Sequence, residues 1–217
     1  MSAGVVLVVA KAPVPGLAKT RLGATTDADA AADIAAAALL DTLDAAAASG
    51  AATVVAFTGD LRDAARRADV QAALDAVAWF AQRGAGLGRR LAAAHADAHH
   101  LAGAPVFQVG MDTPQLTGAL LADAVAAART HDAVLGPAPD GGWWGLAVAD
   151  PGLAAVLADV RMSTGHTGAH TQDALVRAGV AVHLLPELRD VDTWDDAVAV
   201  AAQCPGSRFA AAVAAAH

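Results

Sequence analysis

Four stretches of this 217-residue chain combine acids, cations and glycines in patterns that could do chemistry. The first is Ala10 to Leu22 (AKAPVPGLAKTRL). Lys11, Lys19 and Arg21 stand there in a segment without a single acid from Met1 up to Asp27. Pro13, Pro15 and Gly16 restrict and bend the backbone, so the cations can converge on one spot. Ammonium groups and a forked guanidinium suit phosphate oxygens. Lys19-Thr20 mimics the end of an NTPase phosphate loop, but Ala18 and Pro13 stand where that motif needs glycine, which excludes it. The second stretch is Gln82 to Leu91 (QRGAGLGRRL). Gly84, Gly86 and Gly88 miss the dinucleotide-binding spacing by one residue. They would let backbone approach a flat or anionic ligand closely, with the amides of Leu87 to Arg89 facing outward at a helix start; a plain flexible turn is the other reading.

The third stretch, VGMDTPQL, sets Asp112 just beyond a buried strand, where a carboxylate oxygen is well placed to hold Mg²⁺. Its alternative duty is to cap the next helix, for which Thr117 is better suited. The fourth is divided. LGPAPDGGWW offers Asp140 on a glycine-rich turn, followed by two indoles that should alternate, one inward and one toward a substrate. DVDTWDD offers Asp190 and Asp192, which face the same side of an extended segment and can therefore meet one cation. Asp192 or Thr193 could instead cap the helix that follows.

The segments that must position these loops alternate in kind. Short apolar runs bounded by glycine or acid predict strands at Gly4–Ala10, Thr53–Thr58, Val77–Ala81, Pro105–Gly110, Ala133–Gly136, Trp144–Val148 and Val180–Leu185. Alanine-rich stretches predict helices over Asp27–Ser49, Leu87–Leu101, Gly118–Arg129, Thr167–Ala178 and Thr193–Gln203. Asp27 should cap the first of these and Gly50 close it; Gly179 should close the fourth. The alternation predicts an α/β fold, a single-domain three-layer sandwich on a mostly parallel central sheet. The main domain is expected over 1–204, with an alanine-rich tail over 205–217 forming a final packed helix. Ligands of such sheets gather beyond the carboxyl ends of the strands, and all four stretches fall there. Trp79 and Phe80 are expected in the core.

Composition removes several classes of function. Fourteen basic against 22 acidic residues give a net charge of −8, which argues against nucleic acid or anionic membrane as partner. Although 56% of residues are hydrophobic, no run of about 20 strongly apolar residues suggests a membrane span. The first residues read as a strand rather than a secretion signal. A single cysteine, Cys204, allows no internal disulfide and suits a reducing cytoplasm. His166 and His170 lie four apart without the intervening glutamate of a zinc protease, and Ser163 has no nucleophile-elbow setting.

KAPVPGLAKTRL, GLGRRL, VGMDTPQL, LGPAPDGGWW and DVDTWDD occur in an order that resembles a bacterial family of glycosyltransferase-A-like proteins, the nucleotide-diphospho-sugar transferase superfamily. The first and last stretches are also similar to small nucleotidyltransferases, including phospholactate guanylyltransferases and molybdenum-cofactor nucleotidyltransferases. The resemblance implies a transferase that takes a nucleotide sugar or a nucleoside triphosphate together with a small-molecule acceptor, and uses Mg²⁺ or Mn²⁺. Lys11, Lys19 and Arg21 would neutralise phosphates, with Pro13, Gly16 and Thr20 shaping their loop. Gln82, Gly84, Gly86, Leu87 and Gly88 would approach the base or ribose. Asp112 and Asp192, with Asp190, would hold the metal. Asp140 would orient or deprotonate the acceptor beside Gly141, Gly142 and Trp143. Members commonly carry tyrosine after the DGG element; this chain has none. A glycosyltransferase is the first expectation, a nucleotidyltransferase releasing pyrophosphate the second, and a non-catalytic nucleotide-binding protein the third.

Overall fold

The computed structural model describes residues 4–216. In chain order the elements are β1 (Val5–Lys11), α1 (Thr20–Gly23), α2 (Ala28–Ala48), β2 (Ala52–Thr58), α3 (Arg67–Asp75), β3 (Ala78–Ala81), α4 (Leu87–Ala102), β4 (Val106–Gly110), α5 (Gly118–Ala127), β5 (Ala133–Pro137), β6 (Trp143–Val148), a 3₁₀ helix (Pro151–Ala158), α6 (Thr167–Arg177), β7 (Val182–Leu184), α7 (Trp194–Ala201) and α8 (Arg208–Ala215). The seven strands form one sheet in the order β3-β2-β1-β4-β6-β5-β7. β6 runs antiparallel to both β4 and β5, and every other pairing is parallel. The carboxyl ends of the remaining strands therefore lie on one edge, and the β5–β6 hairpin adds its turn to that edge.

Both faces of the sheet are covered. Val6, Val8, Phe107, Val109 and Val134 face α2 and α5, while Leu7, Leu135, Leu146 and Val148 face α4, the 3₁₀ helix and α6. This is why the central strands read as continuous apolar runs instead of alternating ones. Asp27 caps α2 through the Ala30 N–H at 2.7 Å, as its sequence suggests. α2 is apolar around most of its circumference because it is buried twice, by the sheet and by a smaller core shared with α7 and α8. Phe209 of α8 is fully buried there, and Arg208 reaches Asp41 and Asp44 of α2. The tail is thus a packed helix over 208–215. Residues 1–3, which precede the predicted first strand, and His217 at the end of the tail lie outside the described residues.

Some expectations require correction. Trp79 is 51% exposed, and Phe80 is only partly buried. β3 is an edge strand, so its large side chains cover one side of the sheet margin; Trp79 packs edge-on against Phe57. α1, α3 and the 3₁₀ helix fall where the pattern predicted no element. Each is short, and α3 and the 3₁₀ helix bury only two residues apiece, so neither imposes a strong periodic signal. No described helix is long and apolar enough to cross a membrane.

Gly88 sets how closely α4 approaches the 3₁₀ helix. A Cβ there would lie 2.2 Å from the Leu157 carbonyl oxygen, a backbone atom with no room to yield. Gly88→Ala should therefore destabilise the protein by about 1–3 kcal/mol despite alanine's better helix propensity. Urea denaturation reads this directly, and an unchanged midpoint would show that the helix slides freely.

Candidate active site

Backbone geometry after β1 delivers the cations. The loop folds on itself through Val14 N–H to Ala12 O and Ala18 N–H to Val14 O, and Lys11 Nζ ties it down at Leu17 O, 2.7 Å away. Lys19 then takes a left-handed conformation, φ 47° and ψ 49°, just before α1. A lysine there costs of order 1–2 kcal/mol. In return its ammonium group donates to Asp112 Oδ2 at 2.8 Å and Asp192 Oδ1 at 3.1 Å. Arg21 adds a contact of 3.2 Å to Asp192 Oδ2. The Lys19 side chain is 12% exposed. Burial works against its charge, yet the negative charges of Asp112 and Asp192 outweigh that and hold its pKa above the ordinary lysine value.

The acids come from distant parts of the chain. Asp112 follows β4, and Gly110 leaves space for its carboxylate to fold back, since a Cβ at 110 would stand 2.5 Å from Asp112 Oδ1. The Val191 N–H donates to the Asp112 carbonyl at 2.9 Å, and the Val191 side chain is buried in the smaller core. That bond lays segment 190–192 alongside Asp112, bringing oxygens of Asp112, Asp190 and Asp192 within 4.8 Å of one another. Capping does not compete for them: Thr117 caps α5, and Thr193 caps α7 in a capping box with Asp196. Burial, reinforced by the charges of Asp112, Asp140 and Asp192, raises the Asp190 carboxyl to about 7 against the pull of Lys19. Three hard oxygen donors this close suit Mg²⁺ or Mn²⁺. Among the described residues no other group of three acids, histidines or cysteines gathers in this way; His166 and His170 are both exposed and belong to no such group.

The opposite wall is the β5–β6 turn. Asp140 Oδ1 accepts from Gly142 N–H at 2.7 Å. Gly141 has φ +85°, and a Cβ there would lie 2.0 Å from the Gly165 carbonyl oxygen. The turn is thus seated on the start of α6, where Gly168 N–H donates to Gly141 O. The two indoles part as alternation predicts. Trp144 is buried against Phe107, with its Nε1 donating to Pro186 O, while Trp143 borders the site.

Together these walls enclose a cavity of about 690 Å³. Lys11, Lys19, Thr20 and Arg21 line it, as do Asp112, Asp140, Asp190 and Asp192; Gln82, Leu87, Gly142 and Trp143 complete the set expected from sequence. Pro13, Gly16, Gly84, Gly86, Gly88 and Gly141 do not line it; they shape or pack the loops that do. Gln82 is partly committed, since its Nε2 bridges Ala10 O and Ala56 O at the ends of β1 and β2. Arg90, Gln108 and Met162 also border the cavity and were not foreseen. Gln108 had a legible signal, as one amide inside an otherwise apolar strand.

Residues 40–164 match the family described as an uncharacterised protein conserved in bacteria (DUF2064), and the chain belongs to that family. It is similar over its length to a crystal structure named as a nucleotide-diphospho-sugar transferase from Desulfovibrio desulfuricans G20, with 28% identity, 99% of this chain and 95% of the other covered, and a TM-score of 0.86. Rv0371c from Mycobacterium tuberculosis H37Rv, solved as a complex with manganese, shares the fold at 22% identity, 91% and 97% coverage and a TM-score of 0.53. So does CMP:2-keto-3-deoxy-manno-octonic acid synthetase complexed with CTP, at 12% identity, 92% and 98% coverage and a TM-score of 0.52. No curated protein matches the chain. The α/β class and the glycosyltransferase-A-like architecture expected from the motifs are therefore found.

The raised Asp190 pKa carries a sign. Between the unfolded carboxylate value near 3.8 and about 7, the folded protein holds a proton that the unfolded chain releases, so stability falls as pH rises through that window. In metal-free buffer Asp190→Asn should melt several degrees above the parent at pH 8 and level with it near pH 4. Melting curves across this range test the point, and parallel profiles would refute it.

Proposed function

We propose that this DUF2064 member is a divalent-metal-dependent transferase acting on a nucleoside-phosphate donor, a nucleotide sugar in the first instance. The observation that carries the reading is the meeting of Lys19, Arg21, Asp112, Asp190 and Asp192 in one cavity at the carboxyl edge of the sheet. The likeness to the Desulfovibrio desulfuricans G20 protein supports the sugar-donor form. Asp112 and Asp192, with Asp190, would hold Mg²⁺ or Mn²⁺; a bound ion would draw negative charge off the donor's phosphate oxygens.

The chain's own groups supply the rest. Lys11, Lys19 and Arg21 present positive charge to the phosphates, and it is fixed before the donor arrives, so little reorganisation is needed as charge develops on the leaving nucleotide. Leu87 and Gln82 border the cavity where the base would lie. Asp140, held by its bond to Gly142, faces the acceptor, orients its hydroxyl and takes its proton as the new bond forms. Attack at the anomeric carbon then breaks that carbon's bond to the phosphate oxygen and releases a nucleoside diphosphate. One observation favours a second reading. Lys11, Lys19 and Arg21 bring three cations from one loop to the cavity, enough for a triphosphate, with attack at the α-phosphorus releasing pyrophosphate. In either case we place the reaction in the cytoplasm, in keeping with Cys204 as the sole cysteine.

A thermal-shift panel of nucleotide sugars and nucleoside triphosphates with Mn²⁺ separates the two. A ligand at about 100 times its Kd adds about 2.7 kcal/mol, or roughly 5–10 °C for a chain of this size. A nucleotide-sugar response abolished by chelator supports the first reading, a triphosphate response the second, and silence from both removes the proposal. Once a donor is known, Lys19→Ala and Asp112→Asn should each lower turnover by roughly 10²–10³-fold. Near-normal rates in both would take those residues out of the mechanism.

A further inference from the structure

Three residues on the cavity wall hold buried polar side-chain atoms with no hydrogen-bond partner among the described residues, and none belongs to the acidic cluster or the Lys19 loop. Gln108 on β4 is fully buried, and both atoms of its carboxamide are unpaired. His95 of α4 approaches it without closing a well-formed hydrogen bond. Arg90, in the first turn of α4, has a buried and unpaired Nε. Trp143, opening β6, has a buried and unpaired indole Nε1. All three line the same cavity. Buried polar groups are satisfied in the great majority of cases, so three orphans around one space call for a common explanation.

Arg90 is singular in a second respect. Every other arginine among the described residues is either paired with a carboxylate or exposed; Arg90 is partly buried and pairs with none. Its charged neighbour is Lys11, whose pKa is lowered by burial first and then by Lys19 and Arg90. Like charges held together in this way suit an anion. Arg90 Nε–H and the indole N–H only donate, whereas Gln108 both donates and accepts. The set matches a compact oxyanion with a hydroxyl beside it. Trp143 stands three residues from Asp140, so this lobe adjoins the turn to which acceptor handling is assigned above.

We propose that Arg90, Gln108 and Trp143 form an oxyanion subsite that recognises a carboxylate or phosphate on the second substrate. That the anion belongs to the acceptor rests on the transferase reading; that the lobe binds an oxyanion does not. The test uses glycerate and glycerol 3-phosphate as probes, one for each source of negative charge, titrated calorimetrically into the intact protein and into Arg90→Met, Gln108→Leu and Trp143→Phe. Mn²⁺ with inorganic pyrophosphate serves as a separate probe of the donor side. At least one of the two anions should bind the parent saturably, and about tenfold or more weaker in Arg90→Met and Gln108→Leu, while pyrophosphate affinity stays within about twofold. Gln108→Leu removes a buried unpaired amide, so it should melt no lower than the parent; Trp143→Phe reports on the same subsite should another variant fold poorly. Failure of both anions to bind, equal binding by all variants, or an equal loss of pyrophosphate affinity in Arg90→Met would each overturn the subsite. Failure of Mn²⁺-pyrophosphate to bind the parent would count against the transferase reading alone, since the anion titration decides the subsite.

Discussion

An ammonium group held between two carboxylates is the interaction on which this site depends. Asp112, Asp190 and Asp192 come from chain positions about 80 residues apart, and their oxygens meet within 4.8 Å. At that range each pair of like charges repels by several kcal/mol even at an effective dielectric near 20. Lys19 offsets the repulsion by touching Asp112 and Asp192 at once, with Arg21 adding to Asp192. The left-handed backbone at residue 19 follows from the same demand, because a strained residue persists where its surroundings over-determine it. Even so, Asp190 is not relieved: burial first, and then the charges of Asp112, Asp140 and Asp192, raise its carboxyl to about 7.

Much of this was legible from sequence because it rests on local rules. Continuous apolar runs marked strands buried on both faces. Asp27, Thr117 and Gly179 marked helix ends by cap chemistry alone. The two-residue spacing of Asp190 and Asp192 gave both acids a common side, and Val191 between them is the anchor. Less local features escaped. Nothing about Trp79 itself says that its strand lies at the sheet margin; that follows from strand order, a property of the whole chain. The glycines from Gly84 to Gly88 looked available to a ligand, yet Gly88 serves helix packing and Gly141 serves the seating of a turn. Such contacts lie between segments far apart in sequence. Lys19 shows the same limit, since residue type marked it as a cation of the site while its carboxylate partners, Asp112 and Asp192, were not readable.

The cavity is lined by two chemically distinct sets of groups. One is the acids with Lys19 and Arg21. The other is Arg90, the Gln108 amide and the Trp143 indole, with the apolar Met162 on the same lining. The reversed strand β6 contributes through its first residue, Trp143, and through the turn before it, which carries Asp140. A uniformly parallel sheet would place no such hairpin on this edge.

Val191 sits in a small core completed by Phe209 and Val213 of α8, so the placement of Asp190 and Asp192 depends on a helix that follows them in the chain. While the chain is still being made, the growing polypeptide can assemble its early strands and still lack any assembled acidic cluster. The acidic cluster is therefore a property of the closed architecture and not of any contiguous stretch of chain.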